Sequence, residues 1–403
     1  DAGKVIEARG KEVQYVRDKK VWRKLTRREA QAQGWKIIKT RWIDINKGDD
    51  ENPVYRSRLV GKEFNNEVME GIFAGTPPLE ALRALIHEVA TLRKGQGMRH
   101  KIVMVNDVSR AFFEAPAVRE VCVDLPEEDT THADRVADNV GHLKMRLYGT
   151  RDAAMNWQEE VAREMIKWGF KRGRYNPCLY WRPSDALLTM VHGGDFVSAG
   201  NREAAAAFKA QLEKRFEIKT QVIGCPELVT HARVDTNLQG SKPRSDVALP
   251  ARRACTKAGT PTGWQEVREG RVLNRIIRWT EEGWEIEPDQ RHADIIVHEL
   301  GLEDSKPVAT AGETECRQEE GDDQEPLDAA TSTRYRALAA RANYLAGDRV
   351  ELMYAVKEVC RSMATPTAGA WKKLKRLGRY LKGNAWVAVK YPWQGEDKEI
   401  LGF

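Results

Sequence analysis

Hydrophobic and polar residues alternate with a period of two at several places in the first 64 residues, and this pattern predicts strands that follow a basic helix. Residues 39–45 and 54–60 are two such segments, and the glycine, aspartate, asparagine and proline residues between them are typical of a turn. Successive side chains of a strand point to opposite faces of its sheet. The second segment therefore places Arg56 and Arg58 together on one face.

Residues 100–223 show the most regular pattern of the chain. A short apolar strand at 102–105 leads to Asp107, and a helix at about 154–168 ends at Gly169, a good C-terminal cap. Two strands around a Gly-Gly turn, a second helix and a closing strand follow, at residues 186–192, 196–199, 205–216 and 217–222. The order β-α-β-β-α-β is that of the split βαβ motif and predicts an α+β fold. Polymerase palms and many unrelated proteins share this topology, so it does not identify a function.

The rest of the chain contains an irregular segment, a second hairpin and a helical C-terminal region. Residues 225–263 have no aromatic residue and no sustained period, which is typical of a long, poorly ordered loop or insertion. We then expect a hairpin of residues 272–279 and 284–287 and a helix near residues 291–300. The later predicted elements are helices at 334–346, 349–363 and 368–382 and a strand at 385–389.

Length and composition indicate a folded chain without a membrane segment. The chain has 403 residues, of which 41% are hydrophobic and 31% charged, and this suits roughly two or three domains with packed cores. No run approaches the roughly 18 apolar residues of a membrane helix, and the first 20 residues contain no secretory signal. The six cysteines lack CxxC spacing, so we expect reduced thiols. A soluble intracellular protein that is not secreted and contacts no membrane is expected.

The net charge of +6 is unevenly distributed. Residues 1–62 contain 17 lysines and arginines against 9 acidic residues, whereas residues 311–328 contain eight carboxylates. A basic stretch near the C-terminus has no carboxylate and includes Lys372, Lys373, Arg376 and Arg379. Basic ends of this kind suit a polyanion such as nucleic acid, and they equally suit a merely solvated surface.

Two aspartates are the candidates for catalysis. Asp107 follows the first central strand, Asp195 follows the Gly-Gly turn, and the split βαβ topology brings the two positions side by side. Carboxylates at adjacent strand ends can hold two Mg²⁺ ions about 4 Å apart, which activate a 3′-hydroxyl and neutralise a triphosphate. The alternatives are a strand-end cap for Asp107 and an ordinary turn aspartate for Asp195. The sequence has no phosphate-binding GxxxxGK[ST] loop, no dinucleotide-binding GxGxxG after a strand and no HExxH motif.

Several local strings, in the right order, resemble the reverse transcriptase of copia-type retrotransposon polyproteins. VYRSRLVGKEF resembles that family's YKARLVAKGF, VNDVSRAFF resembles DVKTAFL, and LYGTRDAAMNW resembles LYGLKQAPRAW. GF followed by NPCLY is similar to GF…DPCLY, and VHGGDFVSAG stands where the family has YVDDLLIAG. TRYR with NYL, and then RYLKG, resemble YRSLIGSLLYL and RYLKGT of the connection region. The matching strings lie at residues 54–64, 105–113, 147–157, 169–180, 191–200 and 333–383.

The resemblance implies the chemistry of the two aspartates and the partners of the chain. Asp107 would be the first metal carboxylate, and Asp195 the residual carboxylate of the second box. The implied cofactor is Mg²⁺, as two ions, for which Mn²⁺ could substitute. The implied partners are an RNA or DNA template–primer and deoxynucleoside triphosphates.

The resemblance also implies residues that bind substrate and nucleic acid. Arg56 and Arg58 would touch the incoming triphosphate, Phe112 would pack against the sugar and disfavour a 2′-hydroxyl, and Arg151 would line the nucleotide and template site. The alternatives are a core role for Phe112 and a solvated basic face for Arg56 and Arg58. The basic helix at residues 371–382 would hold the template–primer backbone through phosphate contacts, or would be a solvated helix face; its candidate side chains are Lys372, Lys373, Arg376 and Arg379.

Two departures from the family pattern bear on activity. The family has two adjacent aspartates where this chain has Gly194 and Asp195, so the first of the pair, a metal ligand in the family, is missing. Asp185 cannot replace it, because a seven-residue strand places it on the order of 20 Å away. Asp152 stands where the family has glutamine, and its charge would repel a triphosphate. We therefore expect strongly reduced metal affinity and catalysis.

Together these observations divide the chain into six predicted segments. Residues 1–99 would form a basic fingers-like region, 100–223 a palm with the metal site, and 224–265 an irregular insertion. Residues 266–310 would be a hairpin and helix on the thumb or primer-grip side, 311–330 an acidic linker, and 331–403 a helical connection region. We expect no ribonuclease H domain.

The leading hypothesis is the reverse transcriptase region of a copia-type retrotransposon polyprotein, impaired at Gly194 and located in a cytoplasmic particle or the nucleus. The alternative is a catalytically dead nucleic-acid-binding remnant of such an element. A third hypothesis, an unrelated α/β binding protein with chance matches, predicts no affinity for primed template. Replacement of Gly194 by aspartate distinguishes the first two, because it should restore synthesis if the rest of the site is intact.

Overall fold

The computed structural model describes residues 2–49, 51–64, 68–93, 95, 97–98, 100–226, 264–313 and 321–395. The chain forms two compact units. Unit 1 contains Asp1–Leu85, Val105–Gly200 and Ala207–Thr220, and unit 2 contains Ile86–Met104, Asn201–Ala206 and Gln221–Phe403. Most of the insertion expected at residues 224–265, and part of the acidic linker expected at 311–330, lie outside the described residues. The six segments drawn from the sequence stay a prediction.

Helices and strands are mixed in both units, so the α+β class predicted from the sequence is confirmed. The helices are α1 (Ala2–Asp18), α2 (Arg27–Ala32), α3 (Leu79–Ala90), α4 (His132–Val136), α5 (Ala153–Lys167), α6 (Arg202–Arg215), α7 (Arg291–Glu299), α8 (Ala329–Ala346), α9 (Met353–Arg361) and α10 (Ala368–Gly383). The strands are β1 (Trp22–Thr26), β2 (Lys36–Ile38), β3 (Thr40–Asn46), β4 (Tyr55–Gly61), β5 (Thr91–Leu92), β6 (Lys101–Val108), β7 (Val121–Asp124), β8 (Asn139–Leu143), β9 (Lys171–Arg172), β10 (Leu179–Arg182), β11 (Leu187–His192), β12 (Asp195–Asn201), β13 (Ile218–Ile223), β14 (Glu266–Val267), β15 (Glu269–Val272), β16 (Arg275–Thr280), β17 (Gly283–Glu287), β18 (Val389–Pro392) and β19 (Gln394–Gly395).

The N-terminal part of unit 1 consists of α1, a hairpin and a small sheet. β3 and β4 pair antiparallel over their full length, which confirms the predicted hairpin. The Asn46 side chain closes its turn, because Oδ1 accepts hydrogen bonds from the N–H groups of Gly48 and Val54 at 3.1 and 2.9 Å. The small sheet has the strand order β1-β8-β7-β2. α1 packs on β4 and buries Val16 in a core that also contains Leu59 of that strand.

The candidate carboxylates lie on a sheet whose strands include, in this order, β13-β6-β12-β11-β10-β9. β6, α5, β11, β12, α6 and β13 come in the predicted β-α-β-β-α-β order. α5 buries Trp157, Val161 and Met165 at helical spacing. Gly169 follows with φ +86°, a left-handed conformation that ends the helix as expected.

Unit 2 contains the antiparallel sheet β15-β16-β17-β18, and its β16–β17 hairpin confirms one prediction. The prediction of one strand over residues 272–279 is wrong, because Leu273 and Asn274 form a tight turn between β15 and β16 with φ of +47° and +67°. Two positive φ angles match the twist of a two-residue hairpin. Asparagine suits this conformation, whereas leucine gives no turn signal. The last predicted strand begins at Val389 instead of residue 385.

The C-terminal helices of unit 2 agree with the sequence pattern. α8, α9 and α10 cover the three helices predicted between residues 334 and 382, and α7 covers the one predicted near 291–300. Their shared core includes Tyr335, Leu352 and Leu374. The Tyr335 hydroxyl donates to Val359 O at 2.6 Å, so this buried polar atom has a partner.

No helix within the described ranges is long and apolar enough to cross a membrane. The cysteines in the same ranges are free thiols. They are Cys122, Cys178, Cys225 and Cys360. Cys255 and Cys316 lie outside the described residues.

Candidate active site

Asp107, the first candidate carboxylate, is exposed near the end of β6. The residues on either side of it, Asn106 and Val108, are buried, as expected for a strand with one covered face. β6 borders β12 in the sheet. The N–H of Val108 donates to Gly194 O at 2.9 Å, and this bond fixes the end of β6 against the turn that precedes Asp195.

Asp195, the second candidate, is the half-buried first residue of β12. It pairs with His192 across the two-residue turn Gly193–Gly194, and Gly193 has φ +58°. The indole N–H of Trp157 on α5 donates to Gly193 O at 2.7 Å. Helical spacing alone predicts Trp157 as a core residue, and it is buried, but its indole also anchors the turn of the candidate site.

The charges of Asp107 and Asp195 influence each other. Burial raises the pKa of Asp195 above its ordinary value, the charge of Asp107 raises it further, and His192 opposes the change. Like charges at neighbouring strand ends repel unless they share a proton or a cation. The pair is therefore suited to binding a cation.

The chemistry of this pair fits Mg²⁺, with fewer donors than the family pattern provides. Mg²⁺ is bound by one or two carboxylates together with water and substrate phosphates, and Asp107 and Asp195 supply two carboxylates. In the part of the chain that the structure describes, no group of three or more histidine, cysteine, aspartate or glutamate side chains converges. A β-carbon on Gly194 would lie 3.7 Å from Asp107 Oδ1, so a side chain at position 194 would project next to Asp107.

Phe112, the predicted sugar contact, lies on the 3₁₀ turn Ala111–Glu114 that follows β6. Its half-buried ring packs on Tyr148 with 4.6 Å between the ring centroids. The neighbouring Phe113 is fully buried in the core of unit 1. Phe113 therefore fills the core, and Phe112 keeps part of its ring accessible.

The two arginines of β4 have different surroundings. Arg56 is exposed, whereas Arg58 is half-buried and its Nη1 donates to Glu12 Oε2 on α1 at 3.0 Å. Burial lowers the pKa of Arg58, and the charge of Glu12 opposes this change. The Arg58 guanidinium also lies 5.8 Å from the centroid of the Tyr148 ring. A solvated basic face therefore describes Arg56 but not Arg58.

Asp152, which the sequence predicts to repel a triphosphate, is neutralised within the protein. Arg119 donates to both Asp152 oxygens at 2.9 and 2.8 Å, and Arg146 Nη1 lies 2.8 Å from the same carboxylate. Arg119 also donates to both oxygens of Glu63, at 3.0 and 2.9 Å. The prediction that Asp152 repels a triphosphate is wrong, because Arg119 and Arg146 neutralise its charge. The sequence pattern did not reveal these partners, which are distant along the chain.

The same group of paired charges holds the loop that carries Arg151. Its members are Glu63, Arg119, Arg146 and Asp152. The main-chain N–H of Arg151 donates to Glu63 Oε2 at 2.9 Å, and its side chain is half exposed. Burial opposes ionisation of Glu63, but the hydrogen bonds from Arg119 and Arg151 outweigh it and lower the Glu63 pKa to about 2. Burial also opposes ionisation of Asp152, and Arg119 and Arg146 lower its pKa.

The basic side chains of α10 in unit 2 contact an acidic neighbouring segment. Lys372 Nζ lies 2.6 Å from Asp323, and Arg376 Nη1 lies 2.5 Å from Glu313. Arg379 Nε donates to the main-chain oxygen of Lys306, which precedes that segment, at 2.7 Å. The alternative that α10 is a solvated helix face is therefore incomplete, because part of its charge is neutralised within the unit.

Two carboxylates at neighbouring strand ends of a mixed sheet are compatible with a site that binds divalent cations, as metal-dependent nucleotidyltransferases require. The model of the family described as "Reverse transcriptase (RNA-dependent DNA polymerase)" matches residues 20–224, and the chain belongs to this family.

A curated relative supports the retrotransposon origin. The chain is similar to the "Retrovirus-related Pol polyprotein from transposon RE2" of Arabidopsis thaliana, with 23% identity over 357 residues. The match covers 86% of this chain and 20% of the polyprotein, so the chain spans about a fifth of the length of that relative. Both findings confirm the resemblance to a copia-type reverse transcriptase region, and the family to which the chain belongs is one of RNA-directed DNA polymerases.

Proposed function

We propose that the chain adds deoxynucleotides to a primer on an RNA or DNA template, and that Gly194 reduces this activity. The single observation that carries the proposal is the pair Asp107 and Asp195 on neighbouring strands, with the electrostatic interaction between them. The family match supports the reaction. In this proposal residues 100–223 act as the palm and the N-terminal region as the fingers.

The proposed roles follow the surroundings of each side chain. Asp107 and Asp195 would hold Mg²⁺, which when bound lowers the pKa of a 3′-hydroxyl and neutralises charge on the triphosphate. Arg56 and Arg58 bind phosphate oxygens, for which the guanidinium fork is well suited. Phe112 excludes a 2′-hydroxyl by its bulk.

The impairment has a direct geometric reason. Two ions would need further carboxylate ligands, and position 194, beside Asp107, carries none. One ion can still be held by Asp107, Asp195 and the triphosphate itself. We therefore infer weak Mg²⁺ binding in the absence of nucleotide and slow chemistry in its presence.

Nucleic acid would be held by charge in a sequence-independent manner. Phosphate contacts of lysine and arginine release counterions and are weakened by salt. α10 provides Lys372, Lys373, Arg376 and Arg379 for this purpose, although Asp323 and Glu313 compete for two of them.

The proposal is tested by Mg²⁺-dependent nucleotide incorporation on a primed RNA template. We expect slow incorporation by the native chain and a further loss of at least about tenfold in Asp107→Asn, because a metal ligand is removed. Asp304→Asn, at an exposed position of unit 2, is the control and should leave the rate unchanged. Equal rates in Asp107→Asn and the native chain would contradict the proposal, as would the absence of incorporation from both the native chain and Gly194→Asp.

A further inference from the structure

The N-terminal helix α1 carries a buried carboxylate next to the arginines of the candidate site. The Glu12 side chain is only 1% exposed. Its Oε2 accepts hydrogen bonds from Arg58 Nη1 at 3.0 Å and from Arg110 Nε at 2.6 Å. Within the described part of the chain, its other oxygen Oε1 is buried without a hydrogen-bond partner. Burial of an incompletely bonded carboxylate is costly, so helix stability alone does not explain Glu12.

Arg110 connects the same helix to the loop between Asp107 and Phe112. Its backbone has φ +50° and ψ +47°, a left-handed conformation that a residue other than glycine rarely adopts. Its guanidinium lies 4.1 Å from the centroid of the Tyr15 ring on α1. Glu12 and Tyr15 thus hold Arg110, and through it α1 supports a strained loop of the kind that often occurs at functional sites.

Two further arginines of α1, and Lys19 just after the helix, attach it to the rest of unit 1. Arg9 Nη2 lies 2.7 Å from Asp44 of β3, and Arg17 Nε lies 2.6 Å from Asp129. Lys19 Nζ lies 2.5 Å from Glu114 in the turn that carries Phe112. Part of the basic excess that suggested nucleic-acid binding therefore serves to fix α1 in place.

The arginines around Glu12 carry more charge than it can neutralise. Arg58 and Arg110 contact Glu12, and Arg56 adds a third positive charge close enough to act on Arg58. Besides burial, the charges of Arg56 and Arg110 lower the pKa of Arg58, while Glu12 opposes them. The arginines thus repel each other, and a bound polyanion would relieve this repulsion.

We propose that Glu12 is a positioning residue for triphosphate binding, which it serves by holding Arg58 and Arg110 in fixed directions. This inference rests on the proposed function. Each guanidinium has five N–H donors in a rigid fork, and Glu12 accepts one from each arginine. The remaining donors, together with exposed Arg56, can then face phosphate oxygens. Without the carboxylate, the mutual repulsion of the arginines would turn them apart.

The test compares the native chain with Glu12→Gln by the equilibrium affinity for a deoxynucleoside triphosphate, with primed RNA template and Mg²⁺ present. We expect the dissociation constant to rise about tenfold, because two charge-assisted hydrogen bonds are weakened. Where incorporation is measurable, KM should rise by the same factor and kcat should stay within about twofold. Glu7→Gln, on an exposed position of the same helix, is the matched control and should change neither value.

Each other result overturns the inference. An unchanged affinity in Glu12→Gln would mean that Glu12 only anchors α1. A higher affinity would mean that Glu12 competes with the triphosphate for the arginines. In an Arg58→Ala background, Glu12→Gln should have a smaller effect, because the two residues act together; a full effect there would also contradict the proposal.

Folding and the proposed function are controlled separately. Thermal unfolding of each variant shows whether it is folded. If Glu12→Gln does not fold, Glu12→Asp replaces it in the test. Glu12→Asp keeps the charge at shorter reach and should lose part of the affinity for the triphosphate. An unchanged affinity in Glu12→Asp then overturns the inference. If the native chain itself binds no triphosphate, the proposed function fails. If the native chain binds it and Glu12→Gln binds equally well, only the positioning role fails.

Discussion

A β-carbon on Gly194 would lie 3.7 Å from Asp107 Oδ1, so a side chain at position 194 would project next to the first candidate metal ligand. The turn does not require glycine there, because the left-handed residue is Gly193, with φ +58°. The nearest atom, Val108 O, would be 3.2 Å from the added carbon and would need to move only slightly. The space around Gly194 would therefore accept the aspartate that the family pattern has at this position, beside Asp107.

Phe112→Val should weaken discrimination against ribonucleotides. The Phe112 ring rests on Tyr148, and a smaller side chain would leave space for a 2′-hydroxyl. We expect the ratio of kcat/KM for a deoxynucleotide to that for the matching ribonucleotide to fall at least about tenfold. Single-nucleotide incorporation measures this ratio, in the native chain or in Gly194→Asp.

The adjacent buried phenylalanine provides the control for this change. Phe113→Leu should lower the free energy of unfolding by about 1 kcal/mol and leave the ratio unchanged, because Phe113 lies in the core. A ratio that is unaffected by Phe112→Val, or equally affected by Phe113→Leu, would contradict the role of Phe112.

Glu63→Gln should destabilise unit 1 by on the order of 2 kcal/mol at pH 7, because it leaves Arg119 with only one carboxylate. The Glu63 pKa is lowered from 4.5 to about 2 in the folded protein. The difference in the free energy of unfolding between the native chain and Glu63→Gln is therefore fully present above pH 4.5 and is lost as the pH falls toward 2. Urea unfolding of both chains between pH 7 and about 3 measures the difference. A difference that does not shrink with falling pH would disprove the assignment.

Lys373→Gln should weaken binding to primed template and reduce its salt dependence. One lost phosphate contact lowers the slope of log K against log salt by about 0.9. Lys357→Gln, on an exposed position of α9, is the control and should leave the slope unchanged. Filter binding or fluorescence anisotropy at several salt concentrations gives both slopes. Equal slopes for the native chain and both variants would mean that α10 does not contact the phosphate backbone of the template–primer.

Asp323→Asn should have the opposite effect on affinity. It removes the acidic partner of Lys372, and an exposed ion pair of this kind is worth about 0–1 kcal/mol. We therefore expect primed template to bind up to about fivefold more tightly. Weaker binding in Asp323→Asn would show that the pair supports the binding surface instead of competing with it.

Short-range patterns predicted most elements that carry the candidate site. The apolar spacing of α5 and the Gly-Gly turn before Asp195 both depend on residues that are close in sequence, and both predictions were correct. The turn at Leu273 and Asn274 was missed, because only one of its two residues is a turn former.

Long-range partners account for what the sequence did not reveal. Arg119 meets Asp152 across 33 positions, and Arg110 meets Glu12 across 98. No periodicity connects such residues, because the pairing arises only when α1 and the loops after β6 and β8 come together in unit 1. The charge of Asp152 was therefore misjudged, and the role of Glu12 had no sequence signal beyond its place on a basic helix.

The most direct test of the account is Mg²⁺-dependent extension of a primed RNA template by Gly194→Asp, measured beside the native chain. Gly194→Asn is the matched control, because it fills the same space without the charge. We expect Gly194→Asp to extend the primer at least about tenfold faster at low Mg²⁺ and to need less Mg²⁺ for half of its maximal rate. Gly194→Asn should show no gain. Equal rates in the native chain and Gly194→Asp, or an equal gain in Gly194→Asn, would contradict the claim that a missing carboxylate at position 194 limits primer extension by this chain.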